Sequence, residues 1–263
     1  MRQETVPIGN WLEDPDFVRV YDVENAGMWD HEFYTGLALE LGAQHVADIG
    51  SGTGVFGTGL AEHGAEVVGV EPARTMIGAA RSRTAALPWT TAARLRWIHG
   101  FADQLPSTWA DFAIMEGHVA QYFLQRAEWD EVLAQSYRTL IPGGYLAFES
   151  RNPGGLVWDD WDEEHTRETQ PHPDGGEFTS WVELEEIVPD EDDGDLTTHR
   201  GHIILPDGRH LVTEETLRFR PLHVLRESVE SAGFRIIRIW GDWDRSPLEE
   251  DSPEIIMLAQ KRG

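Results

Sequence analysis

The chain has 263 residues and a formal net charge of −26, from 47 acidic and 21 basic side chains, and it contains no cysteine. This charge repels nucleic-acid phosphates, so DNA and RNA are not expected as substrates, and the lack of cysteine excludes disulfides, thiolate catalysis and cysteine-bound zinc. No apolar run approaches the ~20 residues of a membrane helix, and the first thirty residues lack the apolar run of a signal peptide, which predicts a cytoplasmic protein without a membrane partner.

Helices and short apolar strands alternate through the first 150 residues, after a start that is expected to be irregular. The expected helices lie at about 16–21, 30–41, 55–63, 73–84 and 126–140. The expected buried strands lie at 45–50, 65–70, 95–98, 111–115 and 145–149. The sequence Pro142-Gly143-Gly144 is expected to end the last of these helices sharply. Such alternation predicts right-handed crossovers and a mostly parallel sheet that binds ligands at the carboxyl ends of its strands.

The alternation stops after residue 150. Three extended segments are expected at 178–187, 196–205 and 209–219, which predicts a small antiparallel β insertion. A helix at 222–232 and strands at 234–240 and 255–259 are expected to return to the core. The predicted organisation is N-terminal helices and an α/β core over 1–153, the insertion over 154–219, and the C-terminal part of the core over 220–263.

A glycine-rich loop, Asp48-Ile49-Gly50-Ser51-Gly52-Thr53-Gly54, joins the first buried strand to the next helix. Glycines let the backbone approach a ligand closely, and the start of the helix offers free N–H groups. Glu71 closes the next strand about twenty residues later, where a carboxylate can accept hydrogen bonds from both hydroxyls of a ribose. Val55 stands where an NAD-binding loop has its third glycine, so the spacing argues against an NAD-dependent oxidoreductase and favours a nucleoside cofactor without a pyrophosphate.

The same loop resembles the first motif of class I S-adenosylmethionine (SAM) dependent methyltransferases. Residues 68–72 resemble the second strand of that family, residues 73–76 the following helix start, and residues 140–144 the turn before its fifth strand. The resemblance covers about residues 16–150. It implies an α/β fold with a doubly wound, seven-stranded, mostly parallel sheet of the Rossmann-like type whose last strand is reversed. It also implies that SAM is bound and that S-adenosylhomocysteine (SAH) is released.

The resemblance assigns contacts to each part of SAM. Glu71 would hold the ribose, and Pro72 and Met76 would flank the adenine. Phe101 stands where the family often has an acidic residue, so either Phe101 stacks on the adenine or Asp103 reaches the adenine amino group. The remaining expected cofactor contacts are Tyr21, Asp48, Gly50, Ser51, Gly52, Gly54, Ala102 and Glu116.

The segment after the fourth strand, residues 115–123, is expected beside the methyl group of SAM. His118 is a candidate general base because imidazole titrates near neutral pH; the alternative is a histidine at a helix start that is satisfied by backbone groups. Glu116 could bind the cofactor or an amine, and it is the second candidate for a catalytic role. Gln121 and Tyr122 could orient a substrate.

Two tryptophans, Trp158 and Trp161, precede the β insertion. They could form a lid over a planar or sugar-like substrate, or they could pack the insertion against the main domain. Acidic clusters at 159–164, 190–195 and 249–251 lack the spacing of a calcium loop, so no metal site is expected. The insertion resembles that of small-molecule methyltransferases acting on sugars and other natural products, where it covers the substrate or forms a homodimer contact.

The leading hypothesis is therefore methyl transfer from SAM to an oxygen or nitrogen atom of a small-molecule acceptor. The alternative keeps the fold without the reaction. In that case the chain would bind SAM or SAH and would act as a cyclase or as a binding partner, because a fold does not fix a function.

Overall fold

A computed structural model describes residues 10–25 and 29–262 in full and the backbone of residues 5–8. The helices are α1 (Pro15–Glu24), α2 (Trp29–Leu41), α3 (Val55–Glu62), α4 (Arg74–Ala85), α5 (Trp89–Ala92), α6 (Arg126–Thr139), α7 (Glu163–Thr166) and α8 (Leu222–Ser231). The strands are β1 (Thr5–Ile8), β2 (His45–Ile49), β3 (Glu66–Glu71), β4 (Leu95–His99), β5 (Ala110–Met115), β6 (Leu140–Arg151), β7 (Glu168–Pro171), β8 (Glu177–Val188), β9 (Asp195–Ile204), β10 (His210–Phe219), β11 (Phe234–Trp240) and β12 (Glu254–Lys261). None of the helices described is both long and apolar enough to cross a membrane.

The larger sheet has seven strands in the order β11-β12-β6-β5-β2-β3-β4. Strand β12 runs antiparallel to both of its neighbours, and the pairs from β6 through β4 are all parallel. Phe33 and Leu60 belong to a buried cluster on one face of this sheet, and Trp129 and Val229 belong to a second cluster on the other. Helices thus cover both faces, as a parallel sheet with apolar strands requires. The predicted doubly wound sheet with a reversed last strand is confirmed.

Strand β6 begins earlier than the sequence predicts. Helix α6 ends at Thr139, and Leu140 already pairs with Ala110 of β5. The next pair joins Tyr145 to Phe112, so the residues between Leu140 and Tyr145 bulge out of the ladder. Proline has no backbone N–H to donate to a neighbouring strand, so within a sheet it is confined to an edge strand or a bulge. The predicted end of the helix near residue 140 is confirmed to within one residue, and Pro142-Gly143-Gly144 forms a bulge inside β6.

The smaller sheet has the order β1-β10-β9-β8-β7. Strands β7 to β10 form an antiparallel meander, which confirms the predicted insertion. Strand β1 joins its edge in parallel with β10, so the expectation of an irregular start was wrong for residues 5–8. Residues 1–4 and 9 of that start lie outside the described part of the chain. The predicted division into three segments at 153/154 and 219/220 remains a prediction.

A buried ion pair ties the insertion to the core. Both Nε and Nη2 of Arg220 donate to the carboxylate of Asp193, at 3.0 and 2.8 Å. The guanidinium of Arg220 also lies 5.5 Å from the ring centroid of Trp129 on α6. Breaking such a buried pair by removing one partner typically costs ~3–5 kcal/mol, so this contact fixes the insertion beside α6.

The N-terminal segment is held against the core by a helix cap. The carboxylate of Glu13 accepts hydrogen bonds from the backbone N–H groups of Arg74 (2.7 Å) and Thr75 (2.9 Å) at the start of α4. Free N–H groups at a helix start favour such a carboxylate. These hydrogen bonds hold the pKa of Glu13 below its usual value. The cap brings Leu12 and Tyr21 to the ligand-binding edge of the larger sheet.

Candidate active site

A cavity of about 630 Å³ lies at the carboxyl ends of the parallel strands. Its walls come from the glycine loop, the end of β3, the segments after β4 and β5, helix α1 and one face of α6. Among the described residues, the charged side chains of this wall are all acidic: Glu71, Asp103, Glu116, Glu128 and Glu131. A cavity with this charge attracts cationic ligands and disfavours anionic ones.

The glycine loop runs along the floor of the cavity with backbone angles that favour glycine. Gly50, Gly52 and Gly54 have φ values of +77°, +50° and +75°. A Cβ on Gly50 would lie 2.6 Å from Cγ2 of Val119, whereas a Cβ on Gly52 would meet no atom within 4 Å. Gly50 therefore allows the loop to touch the segment after β5, and Gly52 leaves open space for a ligand.

Glu71 lies at the end of β3 and is linked to this loop. Its Oε2 accepts a hydrogen bond of 3.1 Å from the N–H of Gly52, and its Oε1 accepts one of 2.8 Å from the N–H of Ala73. Each oxygen keeps a further lone pair for a ligand hydroxyl. Burial raises the pKa of Glu71, against the lowering effect of these two hydrogen bonds.

The structure brings nine of the twelve expected cofactor residues to the cavity wall: Tyr21, Gly50, Gly52, Glu71, Pro72, Met76, Phe101, Ala102 and Glu116. Asp48, Ser51 and Gly54 lie outside the described wall. Asp48 is buried and its Oδ2 has no hydrogen-bond partner within the described chain. Burial, assisted by the charge of Glu71, raises the pKa of Asp48 to about 7.

The cavity also has an apolar rim. Phe101 is 66% exposed, and Asp103 lines the wall close to it, so either of the two expected adenine contacts stays available. One face of α6 contributes Glu128, Glu131, Val132 and Gln135 to the wall. The sequence analysis missed these four residues, although their spacing of three, four and seven marks one face of a helix.

His118 does not belong to the described wall of the cavity. It has a left-handed backbone conformation, with φ of +59°, and its Nε2 lies 2.9 Å from Oε1 of Glu254 on β12. Its backbone N–H donates to Glu149 at 2.5 Å. The imidazole is thus directed to a neighbouring strand, and its role as a base remains a prediction. Burial raises the pKa of Glu149 to about 7.

The two predicted substrate residues after β5 differ in placement. Tyr122 lines the cavity, and its hydroxyl donates a hydrogen bond of 2.7 Å to Glu215 on β10. Burial and the charge of Glu215 raise the pKa of Tyr122 well above its usual value. Gln121 is fully buried and its Oε1 accepts a hydrogen bond of 3.0 Å from Arg151. Gln121 therefore supports the wall from behind.

Trp158 and Trp161 pack on the second sheet. The ring of Trp158 meets Phe219 edge-on at 4.8 Å, and the ring of Trp161 lies 4.7 Å from the ring of His199. Neither tryptophan is among the described residues of the cavity wall. Both contacts lie within the insertion, so packing of the insertion against the main domain and a lid over the substrate both remain predictions.

Family models match residues 46–144 to a family described as a methyltransferase domain. The chain contains a methyltransferase domain. This domain holds the glycine loop, Glu71 and Glu116, and the match confirms the resemblance to SAM-dependent methyltransferases. A demethylmenaquinone methyltransferase of Thermus thermophilus is 34% identical over 112 residues, which is 42% of this chain and 48% of that protein. The chain spans less than half the length of the curated relatives that it matches.

Solved structures match nearly the whole chain at low identity. The CcbJ methyltransferase of Streptomyces caelestis has a TM-score of 0.71 and 18% identity, covering 95% of this chain and 100% of that one. The SAM-bound amino pentose methyltransferase CalS10 of Micromonospora echinaspora has a TM-score of 0.67 and 17% identity, covering 92% and 96%. At these identities the likeness establishes that the methyltransferase domain and the insertion share the fold of these enzymes.

Proposed function

We propose that this chain transfers a methyl group from SAM to an oxygen or nitrogen atom of a small-molecule acceptor and releases SAH. The observation that carries the proposal is the hydrogen bond between Glu71 and Gly52 at the wall of the cavity, within a methyltransferase domain. It joins an acceptor for ribose hydroxyls to a glycine loop that leaves room for a ligand.

The residues of the cavity fit SAM as its cofactor. Glu71 would accept hydrogen bonds from the ribose, and Pro72, Met76 and Phe101 offer apolar surface for the adenine. The positions of Gly50 and Gly52 give close approach to the backbone, and the acidic wall suits a ligand with a positive charge. When bound, SAM supplies a methyl group on a positively charged sulfur. The chain itself mainly binds and orients the two reactants, because orientation supplies much of the rate of such a displacement.

The acceptor that fits this wall is neutral or cationic. An anionic acceptor would meet carboxylates and no basic side chain in the described wall. The structural neighbour CalS10 is named as an amino pentose methyltransferase, which supports a hydroxyl or amine of sugar-like size. Tyr122 would contact the acceptor, with Glu215 holding its hydroxyl in place. A cytoplasmic location and a homodimer contact through the insertion remain predictions. The proposed reaction involves neither nucleic acid nor a membrane.

The first test is calorimetric titration of the full chain with SAM, SAH and NADH. We expect SAM and SAH to bind and the Glu71→Ala variant to bind both at least about tenfold more weakly, since it loses hydrogen bonds to a charged group. Glu66→Ala is the matched control, because Glu66 is an exposed carboxylate at the other end of β3. Binding of NADH alone would revive an oxidoreductase and end the proposal.

A second measurement separates transfer from binding. SAM with a labelled methyl group is incubated with the protein and a panel of small amines and alcohols that includes amino sugars. Label recovered in an acceptor, with stoichiometric SAH, supports methyl transfer. Tight binding of SAM with no transfer to any member of a broad panel would favour the alternative of a SAM-binding protein with a different role.

A further inference from the structure

Three potential metal ligands meet behind the wall of the cavity. Asp30 and His31 lie in the first turn of α2, and Glu116 follows β5. One ligand atom from each of them lies within 4.8 Å of the other two. We propose that Asp30, His31 and Glu116 bind one divalent transition-metal ion at the edge of the active site. This inference rests on the proposed function for its role, but the metal site itself can be tested without it.

The distance between two of the ligands is compatible with a shared ion. Nε2 of His31 lies 3.3 Å from Oε1 of Glu116, and Oε1 has no hydrogen-bond partner in the described chain. Two ligands of a tetrahedral metal, each bonded at ~2.0–2.2 Å, are separated by about 3.3–3.6 Å. The distance between the imidazole nitrogen and the carboxylate oxygen thus falls at the lower end of the range for two ligands of one metal ion.

Glu116 provides an independent sign that a cation is needed. Its side chain is only 9% exposed, and a buried carboxylate oxygen without a partner is costly. Asp48 and Glu149 lie near it, and they are themselves buried. Within the described residues, no lysine or arginine forms an ion pair with Asp30, Asp48, Glu116 or Glu149. A bound cation would compensate this excess of negative charge.

The donor set indicates the class of metal. One imidazole with two carboxylates suits Zn²⁺, Mn²⁺ or Fe²⁺, whereas Mg²⁺ and Ca²⁺ prefer oxygen ligands alone. Three protein ligands leave coordination positions open, as catalytic metal sites do. Because Glu116 lines the cavity, these open positions would face the ligand space. An acceptor with a hydroxyl oxygen is the chemical class that would complete the coordination.

The test uses untagged full-length protein stripped of metal, titrated with Mn²⁺ and followed by electron paramagnetic resonance. We expect one tight equivalent of Mn²⁺, with nitrogen modulation in the spin-echo signal from a single imidazole. Glu116→Gln, which keeps the shape of the side chain, should weaken that equivalent at least about tenfold. His31→Ala should remove the nitrogen modulation. Glu32→Gln is the control, since Glu32 is an exposed carboxylate on the same helix turn.

Surface carboxylates of this acidic chain will also hold Mn²⁺, but without the imidazole signal. Mn²⁺ bound only in that weak form, or a nitrogen signal unchanged in His31→Ala, would overturn the inference. Circular dichroism of both variants checks that they fold, and His31→Asn serves if His31→Ala does not. The competing occupant of this site is the ammonium group of SAM. If SAM binding depends on Glu116 but the protein has no tight Mn²⁺ site, the metal site is refuted. The proposed function is then unaffected.

Discussion

The hydroxyl of Tyr122 donates a hydrogen bond of 2.7 Å to Oε1 of Glu215, and this bond joins the wall of the cavity to the second sheet. The other oxygen of Glu215 lies 3.3 Å from Nε2 of His199 on β9. Glu215 and His199 belong to the insertion, whereas Tyr122 follows β5 of the core. The insertion thus reaches the cavity through the side chain that it holds in place.

Removing either partner of this bond should slow transfer to the acceptor and leave cofactor binding intact. We expect Tyr122→Phe and Glu215→Ala each to lower kcat/KM for the acceptor about tenfold, because one hydrogen bond is worth ~1–1.5 kcal/mol. The Kd of SAM, measured by calorimetry, should stay within about twofold. Glu214→Ala is the control, since Glu214 is an exposed neighbour on the same strand. Equal losses in SAM affinity and in kcat/KM would contradict a role directed at the acceptor.

His118 should contribute to stability through its contact with Glu254. The variant His118→Asn keeps a residue type that tolerates the left-handed conformation, so it removes the contact without adding strain. We expect the free energy of unfolding in urea to fall by about 1–2 kcal/mol at neutral pH, while kcat stays within about threefold. A large loss of kcat with unchanged stability would instead support His118 as the base.

Two glycines of the loop should differ in what their substitution costs. Gly50→Ala forces a Cβ against Val119 at 2.6 Å, whereas Gly52→Ala adds a Cβ in open space at a residue of the cavity wall. Both variants bear the strain of a positive φ, about 1–2 kcal/mol, and Gly50→Ala adds overpacking of about 1–3 kcal/mol. Thermal and urea unfolding should therefore rank Gly50→Ala as less stable. Calorimetry should find weaker SAM binding in Gly52→Ala despite its smaller loss of stability.

The sequence predicts the larger sheet and much of the cavity because their signals are local. The glycine loop and the strand that ends at Glu71 each lie within one short segment. Parallel strands then bring the segments together at their carboxyl ends, since the connections are right-handed. This explains why nine of the expected cofactor residues line one cavity.

Contacts between distant segments could not be read in the same way. Strand β1 pairs with β10 about two hundred residues later, and Tyr122 meets Glu215 across the insertion. In neither contact does the local sequence of one partner indicate which distant segment it will meet. The direction of the His118 side chain likewise depends on its positive φ and on the position of Glu254, which belongs to the last strand. Such contacts follow from the tertiary fold and not from local periodicity.

The stability of the chain without ligand should depend on pH through its buried carboxyls, which include Asp48 and Glu149. Burial raises the pKa of Asp48 and of Glu149 to about 7. The folded chain therefore holds these protons more tightly than the unfolded chain does. Their stabilising contribution is complete below the unfolded pKa values, near pH 4, and is lost as the pH rises through about 7.

Asp48→Asn should isolate the contribution of Asp48, since an amide of similar shape does not titrate. Urea unfolding at each pH measures the free energy of unfolding of the variant and of the native chain. We expect the variant to become more stable relative to the native chain as the pH is raised from about 5 to about 8. Asp251→Asn, which changes an exposed loop carboxylate, controls for the net charge. If the free energy of unfolding of both variants differs from that of the native chain by the same amount at every pH, the buried carboxyl of Asp48 is not protonated. If only Asp48→Asn becomes more stable relative to the native chain as the pH rises, the buried carboxyl of Asp48 is protonated in the folded chain and loses its proton near pH 7.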